Sequence, residues 1–155
     1  MAATSSIGQS ESAADVTSPA VPARVRWARY IYLVVAWVFV ACVVVQVFSA
    51  GSAIFVDSSR WELHTSFVRV FEPMGLLLFV AALFARFGLR HTLLTLCLPL
   101  LAGLQYLFID LGRSSGFSAE FAALHPINAL LIFVLALHLG QFAWRKTREL
   151  DPAPA

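Results

Sequence analysis

Charge is what this sequence has least of. Asp, Glu, Lys and Arg make up 13% of the 155 residues, hydrophobic residues make up 59%, and mean hydropathy is +0.78. Soluble domains carry about a quarter charged residues, so this is the composition of a chain that lives in lipid. The net charge of +2 comes with no basic cluster interleaved with aromatics, which excludes a nucleic-acid surface. Cysteine is scarce as well. Cys42 and Cys97 both lie in apolar runs, so no disulfide framework of the secreted kind is indicated. Without CxxC or CxxCH, a zinc ribbon and the usual covalently attached haem are excluded. P-loop, GxGxxG, HExxH and GxSxG patterns are missing, and no Ser/His/Asp order stands out. The balance points away from an enzyme.

What is present is four long apolar segments, with helices expected at about 30–56, 60–86, 91–109 and 119–142. Roughly 20 residues at 1.5 Å each cross a hydrocarbon core, so each segment is read as one span of an all-α bundle. Residues 1–23, rich in Ser, Ala and Thr, have no hydrophobic period and read as a disordered tail. The transmembrane domain is placed at 24–145, with 146–155 as a second tail. A cleaved signal peptide is the rival reading of the first segment, but its polar leader and apolar run are both too long. Ser59 to Glu62 matches a capping box for the second helix. The polar loop Asp110 to Ser118 should end the third, with Ser118 capping the fourth. Arg24, Arg26, Arg29, Arg86, Arg90, Arg145, Lys146 and Arg148 fall on one side, so positive-inside places both termini in the cytoplasm of a multi-pass protein of the cell membrane. Short loops then give an up-down-up-down four-helix bundle.

In that topology Gln46, His64, Arg69, Glu72, Gln105, His125 and Asn128 gather at or outside mid-membrane, and such groups in a span point to a site. His64 and His125 lie at similar depth on the second and fourth helices, diagonal in a square bundle. Two neutral imidazoles so placed suit bis-histidine ligation of a b-type haem, making His64 and His125 its metal ligands. Asn128, one turn on, could orient the His125 ring, and Gly75 on the His64 face could admit a flat group. The structural account of the same residues is an interfacial His64, a proline kink at Pro126, and amides that hydrogen-bond between helices. Arg69 and Glu72, three apart, are read first as an ion pair and second as contacts to a haem propionate, a quinone head or a proton path. His91 beside Arg90 is read as solvated. His138, about 220° round the helix from His125, belongs to a different face. Cys42 and Cys97 are packing residues.

Ala41 to Phe55 (ACVVVQVFSAGSAIF), His64, Leu104-Gln105 and Ala122 to Phe133 (AALHPINALLIF) together resemble a bacterial four-helix membrane family known only as domain of unknown function 6220. The resemblance spans roughly residues 25–145 and implies the bundle fold, an uncharacterised role, and a site drawn from Gln46, His64, Gln105, His125 and Asn128. The histidine plan is also similar to one half of haem A synthase and to b-type cytochrome bundles. Three functions remain in view. One is a b-haem protein exchanging electrons with quinone or a membrane redox protein. Another is a cofactor-free accessory subunit of a larger complex, for which a homo-oligomer is one form. The third is a small proton path using Glu72 and His125. The lipid bilayer is a partner in all of them.

Overall fold

A computed structural model describes residues 21–114 and 118–150; the expected N-terminal tail up to residue 20 and residues 151–155 lie outside them. Helix α1 (Ala23–Phe55) runs unbroken for 33 residues. It begins at Ala23 rather than near Tyr30, because the Pro22 carbonyl accepts from the N–H groups of Val25 and Arg26 and so opens the first turn. At about 50 Å it exceeds the roughly 30 Å of a hydrocarbon core.

The turn after α1 corrects the expected capping box. Asp57 is the cap: its Oδ1 accepts the Ser59 N–H at 2.8 Å, and Ser58–Arg60 form one turn of 3₁₀ helix. That hydrogen bond holds the Asp57 carboxyl below the usual carboxylate range. Ser59 therefore sits inside a helical turn, where it cannot take the extended geometry of a cap, and α2 (Trp61–Phe71) starts with no side-chain cap. Arg60 donates to the Ser52 hydroxyl and ties the turn back to α1.

The second span breaks at Glu72. Pro73 has no N–H to continue the ladder and instead starts α3 (Pro73–Ala85), a position that suits its fixed φ. Arg86 ends α3 in the left-handed region, and Gly88, at φ 93°, opens α4 (Leu89–Arg113). Helix α4 passes Asp110, where a loop was expected, and closes when Ser114 donates to the carbonyls of Asp110 and Leu111. The reason lies in Gly112. A Cβ there would come within 2.8 Å of the Ala122 nitrogen, so this glycine permits close packing of a helix end and does not mark a loop.

Ser118 is the expected cap, accepting the Glu120 N–H at 3.2 Å, but what it starts is a 3₁₀ segment, Ala119–Ala123. Helix α5 (Leu124–Arg148) follows. Pro126 consequently falls in the first turn of α5, where no helical N–H is required, and the expected proline kink is not formed.

Each span packs on two neighbours: α1 on α2/α3 and α5, and α4 on α3 and α5. The result is a square of antiparallel helices with the second and fourth spans on a diagonal. The basic end is packed by small side chains, with Ala28, Ala36, Ala81, Ala82, Ala85, Ala136, Gly140 and Ala143 all buried. Between apolar helices in lipid there is little hydrophobic drive to associate, and close backbone approach through small residues supplies packing instead. Val34, Val44, Phe48, Leu76, Leu83, Leu100 and Leu130 are exposed around the outside, a surface that only hydrocarbon covers comfortably.

Candidate functional site

At the end of the bundle away from the basic turns, all four spans send a polar side chain inward. Gln46 on α1 donates from Nε2 to the His64 carbonyl at 2.8 Å. The His64 ring turns back to α1, its Nδ1 lying 3.1 Å from both the Gln46 carbonyl and the Ser49 hydroxyl. Ser49 itself donates to the Gln46 carbonyl at 2.7 Å, so its oxygen is left to accept. Both neighbours of Nδ1 are thus acceptors, which assigns the ring proton to Nδ1 and leaves the Nε2 lone pair. On the other diagonal corner, His125 Nδ1 lies 3.3 Å from the Gln105 carbonyl and takes the same tautomer. Neither Nε2 has a hydrogen-bond partner among the described residues. The two rings face one another with centroids 6.4 Å apart and planes at 59°.

Gln46, His64, Gln105, His125 and Asn128 do come together, and the expected bonding of amides between helices is formed, while the expected contact of Asn128 with the His125 ring is not. Asn128, only 3% exposed, does not touch the His125 ring. Its Nδ2 donates to the Leu101 carbonyl at 2.7 Å and to Gln105 Oε1 at 2.9 Å, pinning α5 to α4. Gln46 Oε1 is buried with no partner among the described residues, the one such side-chain atom there. Trp61 stands edge-on to His64 at 5.4 Å, while Phe39, Phe67 and Phe71 form a ring cluster one to two turns deeper.

Arg69 and Glu72 do not join the layer. Arg69 is exposed and its Nε donates to the Thr65 carbonyl at 3.0 Å, whereas Glu72 accepts from the Tyr106 hydroxyl at 2.6 Å. The ion pair expected between them is not formed. Pro73 breaks the helix at Glu72, and that carboxylate is turned toward α4. Gly75 is likewise turned away from the histidines, with the Pro99 backbone 3.6 Å from where its Cβ would be. It serves helix contact and offers no slot for a flat group beside His64.

His91 was expected to be solvated and is instead 5% exposed. Its Nε2 meets the Tyr32 hydroxyl at 3.1 Å, and that hydroxyl meets Thr95 Oγ1 at 2.9 Å. Thr95 donates to the His91 carbonyl, and Phe142 stacks on the imidazole at 4.0 Å. This second polar knot lies at the basic end and joins α1, α4 and α5. The sequence signal for it is the spacing of His91 and Thr95, one turn apart on a single face. His138 is exposed and outside the knot.

No group of three or more His, Cys, Asp or Glu side chains converges among the described residues. Any metal at the histidine pair would therefore have two protein ligands. Cys42 and Cys97 are free and half-buried, in keeping with packing roles.

The fold and its apolar exterior define a multi-pass integral membrane protein, with four helical stretches long and apolar enough to cross a bilayer. Residues 46–112 match a protein family described as a family of unknown function (DUF6220). The match includes Gln46, His64, Arg69, Glu72 and Gln105 and ends before His125 and Asn128. No curated protein and no solved structure matches the chain, so the likeness to haem A synthase gains no support from them.

Proposed function

We propose that this protein sits in the cytoplasmic membrane with both termini in the cytoplasm, and that it holds a b-type haem between His64 and His125 near the outer face. The observation that carries the reading is the seating of each Nδ1 on a backbone carbonyl, together with the spacing of the two imidazoles. Each Nδ1–H is engaged by a backbone carbonyl of a neighbouring helix, each Nε2 lone pair is left over, and the ring centres are 6.4 Å apart. Metal–imidazole bonds of about 2.0–2.1 Å on both sides of one ion place two ring centres roughly 6 Å apart. Hydrogen bonding of the second ring nitrogen to a carbonyl is also the usual way a protein fixes a histidine ligand.

In this reading Gln46, Ser49 and Gln105 set the ring orientations, and Asn128 acts through Gln105. Phe39, Phe67 and Phe71 supply the apolar flank, and the buried Gln46 Oε1 accepts a hydrogen bond from whatever donor enters the site. Bound there, haem supplies one-electron chemistry, with a quinone or a membrane redox protein as the exchange partner.

The test is the absorption spectrum of the full chain purified in mild detergent, before and after dithionite. The expected result is a Soret band that shifts on reduction, with loss of haem in His64→Ala and in His125→Ala while both variants still insert in the membrane. A colourless protein after expression with ample haem would overturn the reading. The interhelical bonds of Gln46, Gln105 and Asn128 would then favour a cofactor-free accessory bundle.

A further inference from the structure

Among the described residues Glu72 is the acid set deepest in a span. It falls fourteen residues from Ser58 and thirteen from Ala85, the ends of the second span, whereas the other acids described stand within four residues of a span end or outside the spans. With a hydrocarbon core of roughly 30 Å centred on that span, its carboxyl is about 15 Å from either headgroup layer. An ionisable group at such depth points to a site and calls for a partner. The partner is Tyr106, whose hydroxyl donates to Glu72 Oε2 at 2.6 Å. Glu72 Oε1 has no hydrogen-bond partner among the described residues, and Arg69, one turn away, directs its Nε to the Thr65 carbonyl. Glu72 is half-buried and Tyr106 is 42% exposed, so the pair opens toward lipid where α3 meets α4.

We propose that Glu72 and Tyr106 form a binding site for the head of a membrane hydroquinone. An ionised carboxyl only accepts hydrogen bonds, so its free oxygen needs a donor. Water is excluded at this depth, and the hydroxyl and ammonium groups of lipid heads stay about 15 Å away. A quinol carries its hydroxyls on an apolar tail and moves within the hydrocarbon. One quinol hydroxyl donates to Glu72 Oε1, and the exposed Tyr106 ring packs against the quinol ring. The oxidised quinone has no donor to offer, so the site selects the reduced form. Tyr106 adjoins Gln105, whose carbonyl lies 3.3 Å from His125 Nδ1, and His64 is about two turns from Glu72, roughly 12 Å along the axis. As the exchange partner of a haem the quinol rests on the reading above; as a bound ligand it rests on Glu72 and Tyr106.

The test measures retention of a tritiated decyl benzoquinone by the full chain in phosphatidylcholine nanodiscs. The ligand is either reduced with dithionite in the absence of air or left oxidised, and retention is taken in excess of empty discs. The expected result is about tenfold tighter binding of the quinol than of the quinone, the low end of what a hydrogen bond to a charged group contributes. Glu72→Gln, which keeps an acceptor for Tyr106, should remove the preference. The dimethyl ether of the quinol, with the same ring and tail but no donor, should bind the unaltered chain no better than the quinone. Equal retention of quinol and quinone would overturn the proposal. So would a preference that survives Glu72→Gln, tight binding of the ether, or displacement of the quinol by an equal concentration of a long-chain alcohol. The absorption spectrum of the same sample reports the haem separately. A colourless sample that prefers the quinol refutes the haem and keeps this site, and a haem-bearing sample with no preference does the reverse.

Discussion

Replacing Asn128 by leucine tests whether the polar layer holds the bundle together. The side chains share heavy-atom count and branching, leucine being the bulkier, so the perturbation is the loss of two donated hydrogen bonds, to the Leu101 carbonyl and to Gln105 Oε1, with some added crowding. Interhelical hydrogen bonds in membranes are worth about 0.6 to 2 kcal/mol each, and leaving a buried acceptor unpaired adds to the loss. The expected cost of Asn128→Leu is therefore about 1–3 kcal/mol. Gln105→Leu removes one acceptor, leaves Asn128 its bond to Leu101, and should cost less. The double variant leaves no orphan at Gln105, so its cost should fall short of the sum of the singles by roughly 1 kcal/mol. Equilibrium unfolding of the full chain in mixed micelles by titration with SDS reads all four corners of the cycle. A single variant within about 0.3 kcal/mol of the parent, or strict additivity at that precision, would refute the reasoning.

The two other predictions concern the helix end and the second polar knot. Gly112→Ala drives a methyl into the Ala122 backbone and should cost about 1–3 kcal/mol, whereas Gly103→Ala meets open space in mid-helix and should stabilise by roughly 0.5–1 kcal/mol. Equal effects of the two on SDS unfolding would contradict the packing described for the α4 terminus. Tyr32→Phe strips the hydroxyl shared by His91 and Thr95 and leaves the buried His91 Nε2 without its partner, for an expected loss of about 1–3 kcal/mol. A neutral Tyr32→Phe by the same unfolding assay would show that the knot does not contribute.

The spans were legible because bilayer thickness dictates the length of an apolar run, and four such runs can be counted directly. The polar layer was legible for a related reason: an amide or imidazole in hydrocarbon must find a partner, so its mere presence predicts convergence. The identity of each partner was legible only in part, for the amides that bond between helices. Asn128 pairs with Gln105 and misses His125, and Glu72 pairs with Tyr106 and misses Arg69, because those choices depend on helix rotation, which the spacing within one helix does not fix. His91 was misread for the same reason. Its sequence neighbour Arg90 is exposed, but its burial comes from Tyr32 and Phe142 on two other helices. Gly112 and Pro126 misled in the opposite way. Both residue types usually mark interruptions, and here one serves close packing while the other sits in a first turn that has no need of its N–H.

Both ends of the bundle carry polar bridges between helices, but small-residue packing is concentrated at the basic end. At the basic end, alanines and Gly140 bring backbones together around the knot of Tyr32, His91, Thr95 and Phe142. At the other end the helices are bridged by long side chains, Gln46, His64, Gln105, His125 and Asn128, with large rings beneath them. Rotamers of long side chains and rings can change within nanoseconds where packing permits, whereas sliding of whole helices is far slower. Among the described residues, the buried side-chain atom that lacks a partner, Gln46 Oε1, lies at the histidine end.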